Sequence, residues 1–128
     1  MPTFPGNTGD VVTSAMWNGL PAFTVQTAKT VDYTAASGDE YQQLIPMNKA
    51  SAIAFKIPTD ATYNFAVGTV ITVLNIGAGT CTISAVTPGT TTVLSAGATP
   101  ASPTIAQNKS AAIIKQSGNV WYVVGAIA

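Results

Sequence analysis

The chain predicts an all-β fold: a single antiparallel β-sandwich or barrel, jelly-roll-like, preceded by an extended N-terminal arm. Three observations carry this expectation. Apolar residues recur at every second position in several short runs, which is the period of a half-buried strand. Clusters of Gly, Pro, Asn and Ser punctuate those runs at turn-sized intervals. A chain of 128 residues and 13.0 kDa also suits one domain with a core of its own.

Residues 1–23 read as the arm. Pro2, Pro5, Gly6 and Gly9 break any regular element at its start, and Pro21 closes it. Between them, residues 10–18 carry the signals of a short helix, with Asp10 as N-cap and Gly19 just past its end. The β-branched Val11, Val12 and Thr13 oppose that helix by propensity. Phe4, Val11, Val12, Met16, Trp17, Leu20 and Phe23 give the arm an apolar content that it cannot bury by itself. They are candidates for contact with a partner, the alternative being that the arm folds back on its own domain.

Strands are expected from residue 24 to residue 128. The alternation of Val25, Thr27, Lys29, Val31 and Tyr33 predicts the first, and Tyr41–Ile45, stopped by Pro46, the second. Ile53, Phe55 and Ile57 share one face of a third strand that Pro58 ends. Val70, Ile71 and Val73 lie in a β-branched run that Gly77-Ala78-Gly79 separates from a run through Cys81 and Ile83. This pair reads as a hairpin. Pro88-Gly89 suits a type II turn before Thr91–Leu94, and a small-residue loop over residues 97–103 precedes a short strand from Thr104. The last hairpin pairs a strand through Ile113 with one through Trp121 and Val123, across Ser117-Gly118-Asn119. The expected core or subunit interface comprises Ile53, Phe55, Ile57, Val70, Ile71, Val73, Ile83, Ile113, Trp121 and Val123. Trp121 and Tyr122 point to opposite faces, so only one of them enters the core.

Charge narrows the function. Five Lys balance five acids, with no Arg and no His, and charged residues make up 8% of the chain. Lacking imidazole, the chain has neither an ordinary catalytic triad nor a His-ligated metal site. Lacking Arg and net charge, it has no field to hold a nucleic-acid backbone. Beyond Asp60 only Lys109 and Lys115 are charged, although the stretch is rich in Val, Ile and aromatics. Such a surface is read as covered by other subunits. No segment is long and apolar enough to span a membrane as a helix, and the N-terminus has no pattern of a secretory signal.

The remaining polar clusters favour structural readings. Asp39-Glu40 is read as a solvated acidic turn, and Asp32 with Asp39 and Glu40 matches no EF-type calcium spacing. A Ser–Lys pair in the neighbourhood of Ser110 and Lys115 is outweighed by ordinary cross-strand roles for hydroxyls. Cys81, flanked by Thr80 and Thr82, has no basic neighbour in sequence and reads as a buried, inert thiol. No catalytic residue, metal ligand or cofactor site is expected.

Several short pieces carry a resemblance. They are Val31-Asp32-Tyr33-Thr34 with Gly38-Asp39-Glu40-Tyr41, Ala52–Pro58, Phe65–Gly77, and above all Ile113–Gly125 with its Gln116-Ser117-Gly118-Asn119-Val120-Trp121 centre. With the lead-in Gly9-Asp10-Val11-Val12 and Trp17-Asn18-Gly19-Leu20, they resemble the β-rich domain of tailed-bacteriophage head-fibre, tail-fibre and capsid-decoration proteins. The resemblance implies a homotrimer and a non-enzymatic virion protein made in the host cytoplasm. The short arm tilts it toward a decoration or cement protein on the outer capsid surface, with the major capsid protein as partner. The alternative is a receptor-binding fibre protein contacting host surface glycans. Neither reading involves nucleic acid or membrane.

Overall fold

A computed structural model describes residues 25–41 and 44–128. The expected arm and the helix over residues 10–18 lie outside the described residues. Those described are all-β, with nine strands and no helix: β1 (Tyr33–Thr34), β2 (Leu44–Met47), β3 (Ile53–Ile57), β4 (Val70–Asn75), β5 (Cys81–Ala85), β6 (Thr92–Ser95), β7 (Thr104–Ile105), β8 (Lys109–Ser117) and β9 (Val120–Gly125). They form two sheets, ordered β1-β3-β5-β7 and β2-β4-β8-β9-β6, which share one apolar core in a sandwich-like arrangement.

The sheets are mixed rather than antiparallel, and neither closes into a barrel. β1 with β3, β3 with β5, β2 with β4, and β6 with β9 all run parallel. The expected hairpin between β4 and β5 is absent, because the two strands lie in different sheets. Gly77-Ala78-Gly79 carries the chain across the core as an arch. The segment between β2 and β3 makes an equivalent arch, and the two stack. Leu44 lies beside Thr72 in one sheet and Ile53 beside Cys81 in the other, at the same sequence offset. A third, partial layer precedes them, in which Val25 and Lys29 bridge to Leu44 and Met47 and β1 pairs with β3. Parallel neighbours ordinarily need a long crossover. For β1–β3, β2–β4 and β3–β5 the crossover is a single strand of the opposite sheet, whereas β6 reaches β9 through β7 and β8.

Glycine at the arch serves close approach and not turn handedness. Neither Gly77 nor Gly79 has positive φ. A Cβ on Gly77 would run into the Lys49 backbone, and one on Gly79 into the Ser51 carbonyl. The stacked arches bond backbone to backbone: Ile76 N–H donates to Met47 O at 2.9 Å and Gly79 N–H to Lys49 O at 2.9 Å. Buried Asn75 closes the arch from within. Its Nδ2 donates to the Gly79 and Ile105 carbonyls, each at 2.8 Å, and its Oδ1 accepts from Gly77 N–H at 3.2 Å.

Three local readings need correction. Pro46 lies inside β2 instead of ending it. The Leu44 and Pro46 carbonyls accept from Gln26 and Lys29 on the outer edge, so the missing proline N–H faces that edge and costs no bond to β4. The long first strand is reduced to two isolated bridges and β1. Gly89 lacks the positive φ of a type II turn, and the Thr90 and Thr91 N–H groups both donate to Thr87 O. The β8–β9 hairpin does form, with a bulge between Lys115 and Ser117 and with Asn119, not Gly118, taking the left-handed conformation at φ 55°.

Of the expected core residues, Ile53, Phe55, Ile57, Ile71, Val73, Ile83, Ile113, Trp121 and Val123 are buried, whereas Val70 is exposed on the outer face of its sheet. Phe65 joins them from the loop before β4, edge-on to Trp121 with ring centroids 5.6 Å apart.

Candidate functional site

The two sheets present opposite chemistry to their surroundings. On β4, β8, β9 and β6 the inward positions hold the core, so the alternate positions face out. The register lines these up in rows. Val70, Ile114, Tyr122 and Leu94 form one, and Leu44, Thr72, Ala112 and Val124 the next. No charged residue occupies an outward position on the five strands of this sheet. Tyr122 is 41% exposed and Val124 49%, and a groove of about 540 Å³ runs between Leu94, Tyr122, Val124 and Ile127. The other sheet faces out with Thr34, Lys56 and Ser84 in one row and Ala54, Thr82 and Thr104 in another. Hydroxyls and a lysine meet water without difficulty, whereas a contiguous apolar sheet face marks an interaction surface.

Three polar clusters lie elsewhere. Asp39 is buried, which overturns its reading as a solvated acid. Gln26 Nε2 donates to it at 2.7 Å, Ala36 N–H at 2.8 Å, and the Tyr33 hydroxyl to both of its oxygens at 2.8 and 2.9 Å. Burial first, then the hydrogen bond to Asp39 and its charge, raise the Tyr33 hydroxyl well above its ordinary range. Lys29 Nζ sits 4.3 Å from the centre of the Tyr33 ring. Glu40 accepts from the Tyr63 hydroxyl at 2.5 Å and from Gly38 N–H at 2.6 Å, and the first of these bonds raises the Tyr63 hydroxyl. These acids close a turn against the first layers. Among the described residues no group of three or more His, Cys, Asp or Glu side chains is placed to hold a metal ion.

Lys115 is the centre of the second cluster. It lies on an inward position of β8 at 1% exposure. Its ammonium donates to Asp60 Oδ1 at 2.9 Å, Asn64 Oδ1 at 2.7 Å and the Phe65 carbonyl at 2.6 Å. Three donors meet three acceptors, the condition for burying an ammonium. Ser110 lies five positions away on the opposite face of the strand, so no Ser–Lys pair forms. Composition gave no hint of this hub, but strand alternation carried one: Lys115 follows Ala111 and Ile113 on the inward parity.

Cys81 is the third. It is buried in β5, and burial lifts its thiol to about 11. The seven candidate contact residues of the arm, from Phe4 to Phe23, lie outside the described residues. No protein-family model matches the chain, and neither a curated protein nor a solved structure is significantly similar to it.

Proposed function

We propose that this is a non-enzymatic structural protein of a phage virion, and within that class a capsid decoration or cement protein. Its homotrimers bind and stabilise the shell of the major capsid protein from the outer surface. The observation that carries this reading is the uncharged outer face of the five-stranded sheet, with its rows of Val70, Ile114, Tyr122 and Leu94. A free monomer gains nothing from such a face. A protein held between copies of itself and a shell buries it, at roughly 25 cal/mol per Å² before ordering costs. The sequence likeness to virion β-domains supplies the partner, and residues 1–23 the segment that reaches it.

The test has two parts. Native mass measurement on the purified chain is expected to give three copies, and a 13.0 kDa species would overturn the assembly. Sedimentation with undecorated shells is expected to retain the full chain and to lose one lacking residues 1–23. A fibre tip that binds host glycans is the second reading, favoured by Tyr41, 80% exposed, beside Glu40 in a groove of about 380 Å³. Copy number per particle separates the two: decoration approaches that of the major capsid protein, whereas a fibre is present in few copies.

A further inference from the structure

A single carboxylate is enough to balance the buried Lys115, yet an amide also reaches the same nitrogen. Asn64 Oδ1 lies 2.7 Å from Lys115 Nζ, and Asn64 Cγ is one carbonyl bond, about 1.23 Å, beyond that oxygen. Asp60 Oδ1 lies 2.9 Å from the same nitrogen. The Trp121 ring centre is 6.0 Å away, with Phe65 packed edge-on against it. An amine, an amide and a carboxylate converge on one atom that water does not reach. We propose that Lys115 Nζ and Asn64 Cγ become joined in an intramolecular isopeptide bond, with Asp60 carrying the proton. The inference does not depend on the virion reading.

The chemistry balances without cofactor or oxidant. Lys115 passes a proton along its hydrogen bond to Asp60, and the freed amine lone pair attacks Asn64 Cγ. The Nζ–Cγ bond forms as the carbonyl π pair moves onto Oδ1. Asp60 hands its proton to Nδ2 and takes one from the new Nζ centre. The oxygen pair then returns, the Cγ–Nδ2 bond breaks, and ammonia leaves. The proton left on Asp60 passes to ammonia or to solvent. Proximity does most of the work, since the two reacting groups are held in contact by the fold. Asn119 positions the shuttle, its backbone N–H holding Asp60 Oδ2 at 3.0 Å. Asn64 itself lies at the surface, which gives the ammonia an exit. Dilution then makes the step one-way. The product ties β8 to the loop before β4, a covalent staple suited to a protein under mechanical load.

Intact mass of the purified, denatured full chain tests this directly. The wild type is expected to be lighter than its sequence by one ammonia. Tryptic cleavage after Lys115 should be blocked, leaving residues 57–109 joined to 110–128. Asn64→Ala and Asp60→Ala are expected at full mass while still folded by circular dichroism, and Asn64→Asp, which keeps the side-chain oxygen on Lys115, is expected to lose no ammonia. A wild type at full mass after prolonged incubation overturns the proposal. A loss of one water instead places the bond on Asp60 and overturns the assignment to Asn64. An Asp60→Ala chain that still loses ammonia removes Asp60 from the mechanism.

Discussion

Asp60 and Asn119 hold each other from both sides. The Asp60 N–H donates to Asn119 Oδ1 at 2.9 Å, and the Asn119 N–H donates back to Asp60 Oδ2 at 3.0 Å. Through this reciprocal pair the tip of the β8–β9 hairpin fixes the carboxylate that Lys115 needs. The Thr91 hydroxyl adds a weaker contact to the same Asn119 oxygen at 3.5 Å. One turn residue therefore does two jobs: it supplies the left-handed backbone of the hairpin and a side-chain acceptor for a distant loop.

Those two jobs can be separated by substitution. Asn119→Gly keeps the backbone conformation but leaves the Asp60 N–H without its acceptor, and is expected to cost about 1 kcal/mol. Asn119→Val loses the acceptor and also forces a β-branched residue to positive φ, adding roughly 1–2 kcal/mol. Urea midpoints followed by tryptophan fluorescence check the order. Equal midpoints for the two variants would contradict it.

The arch glycines are expected to behave unlike a surface glycine. Gly79→Ala drives a Cβ into the Ser51 backbone, which has no flexible end to move aside, and should cost more than about 2 kcal/mol. Gly89 has open space and no positive φ. There Gly89→Ala should be neutral or stabilise by about 0.4–1 kcal/mol through the unfolded chain. Thermal denaturation of the two variants side by side measures the contrast.

Stability should fall at alkaline pH. Burial raises the Cys81 thiol from its ordinary 9.0 to about 11, so the folded state keeps this proton where the unfolded chain releases it. The contribution is complete below about pH 9 and is lost as pH rises through about 11. The raised Tyr33 hydroxyl extends the loss further into the alkaline range. Cys81→Ala should flatten the first part of the slope, whatever its absolute stability. Urea titrations at a series of pH values read the slope, and an unchanged slope would remove Cys81 as its source.

The two outer faces should respond differently to one added charge. Tyr122→Lys places an ammonium in the middle of the apolar rows, and Thr82→Lys places one on the hydroxylated sheet. Both are expected to fold by circular dichroism. Self-association should weaken by at least roughly tenfold in the first and stay unchanged in the second, since covering an unpaired charge costs more than about 1.4 kcal/mol. Native mass against protein concentration decides it.

Much of the strand pattern was legible because it is local. Alternation placed Ile53, Phe55 and Ile57 on one face and sent Trp121 inward with Tyr122 outward, as exposures of 1% and 41% show. The closing hairpin was legible from Gly118-Asn119, because few residue types tolerate the backbone its tip requires. Which strands pair was not legible. Gly77-Ala78-Gly79 looks the same whether glycine is needed for a positive φ or for the approach of another backbone. Only the position of Lys49 and Ser51 decides between them.

By itself, then, the sequence determined the all-β class, the approximate strand positions, the sides of most strands and the scarcity of charge over the second half. Tertiary structure alone decided the parallel stacking of arches, the split of β4 and β5 between sheets, the burial of Asp39 and the acceptors that surround Lys115. The physical reason is one of range. A two-residue period is written in neighbours, whereas a parallel partner or the acceptors of a buried ammonium come from residues far along the chain, brought together only when both sheets close over the core.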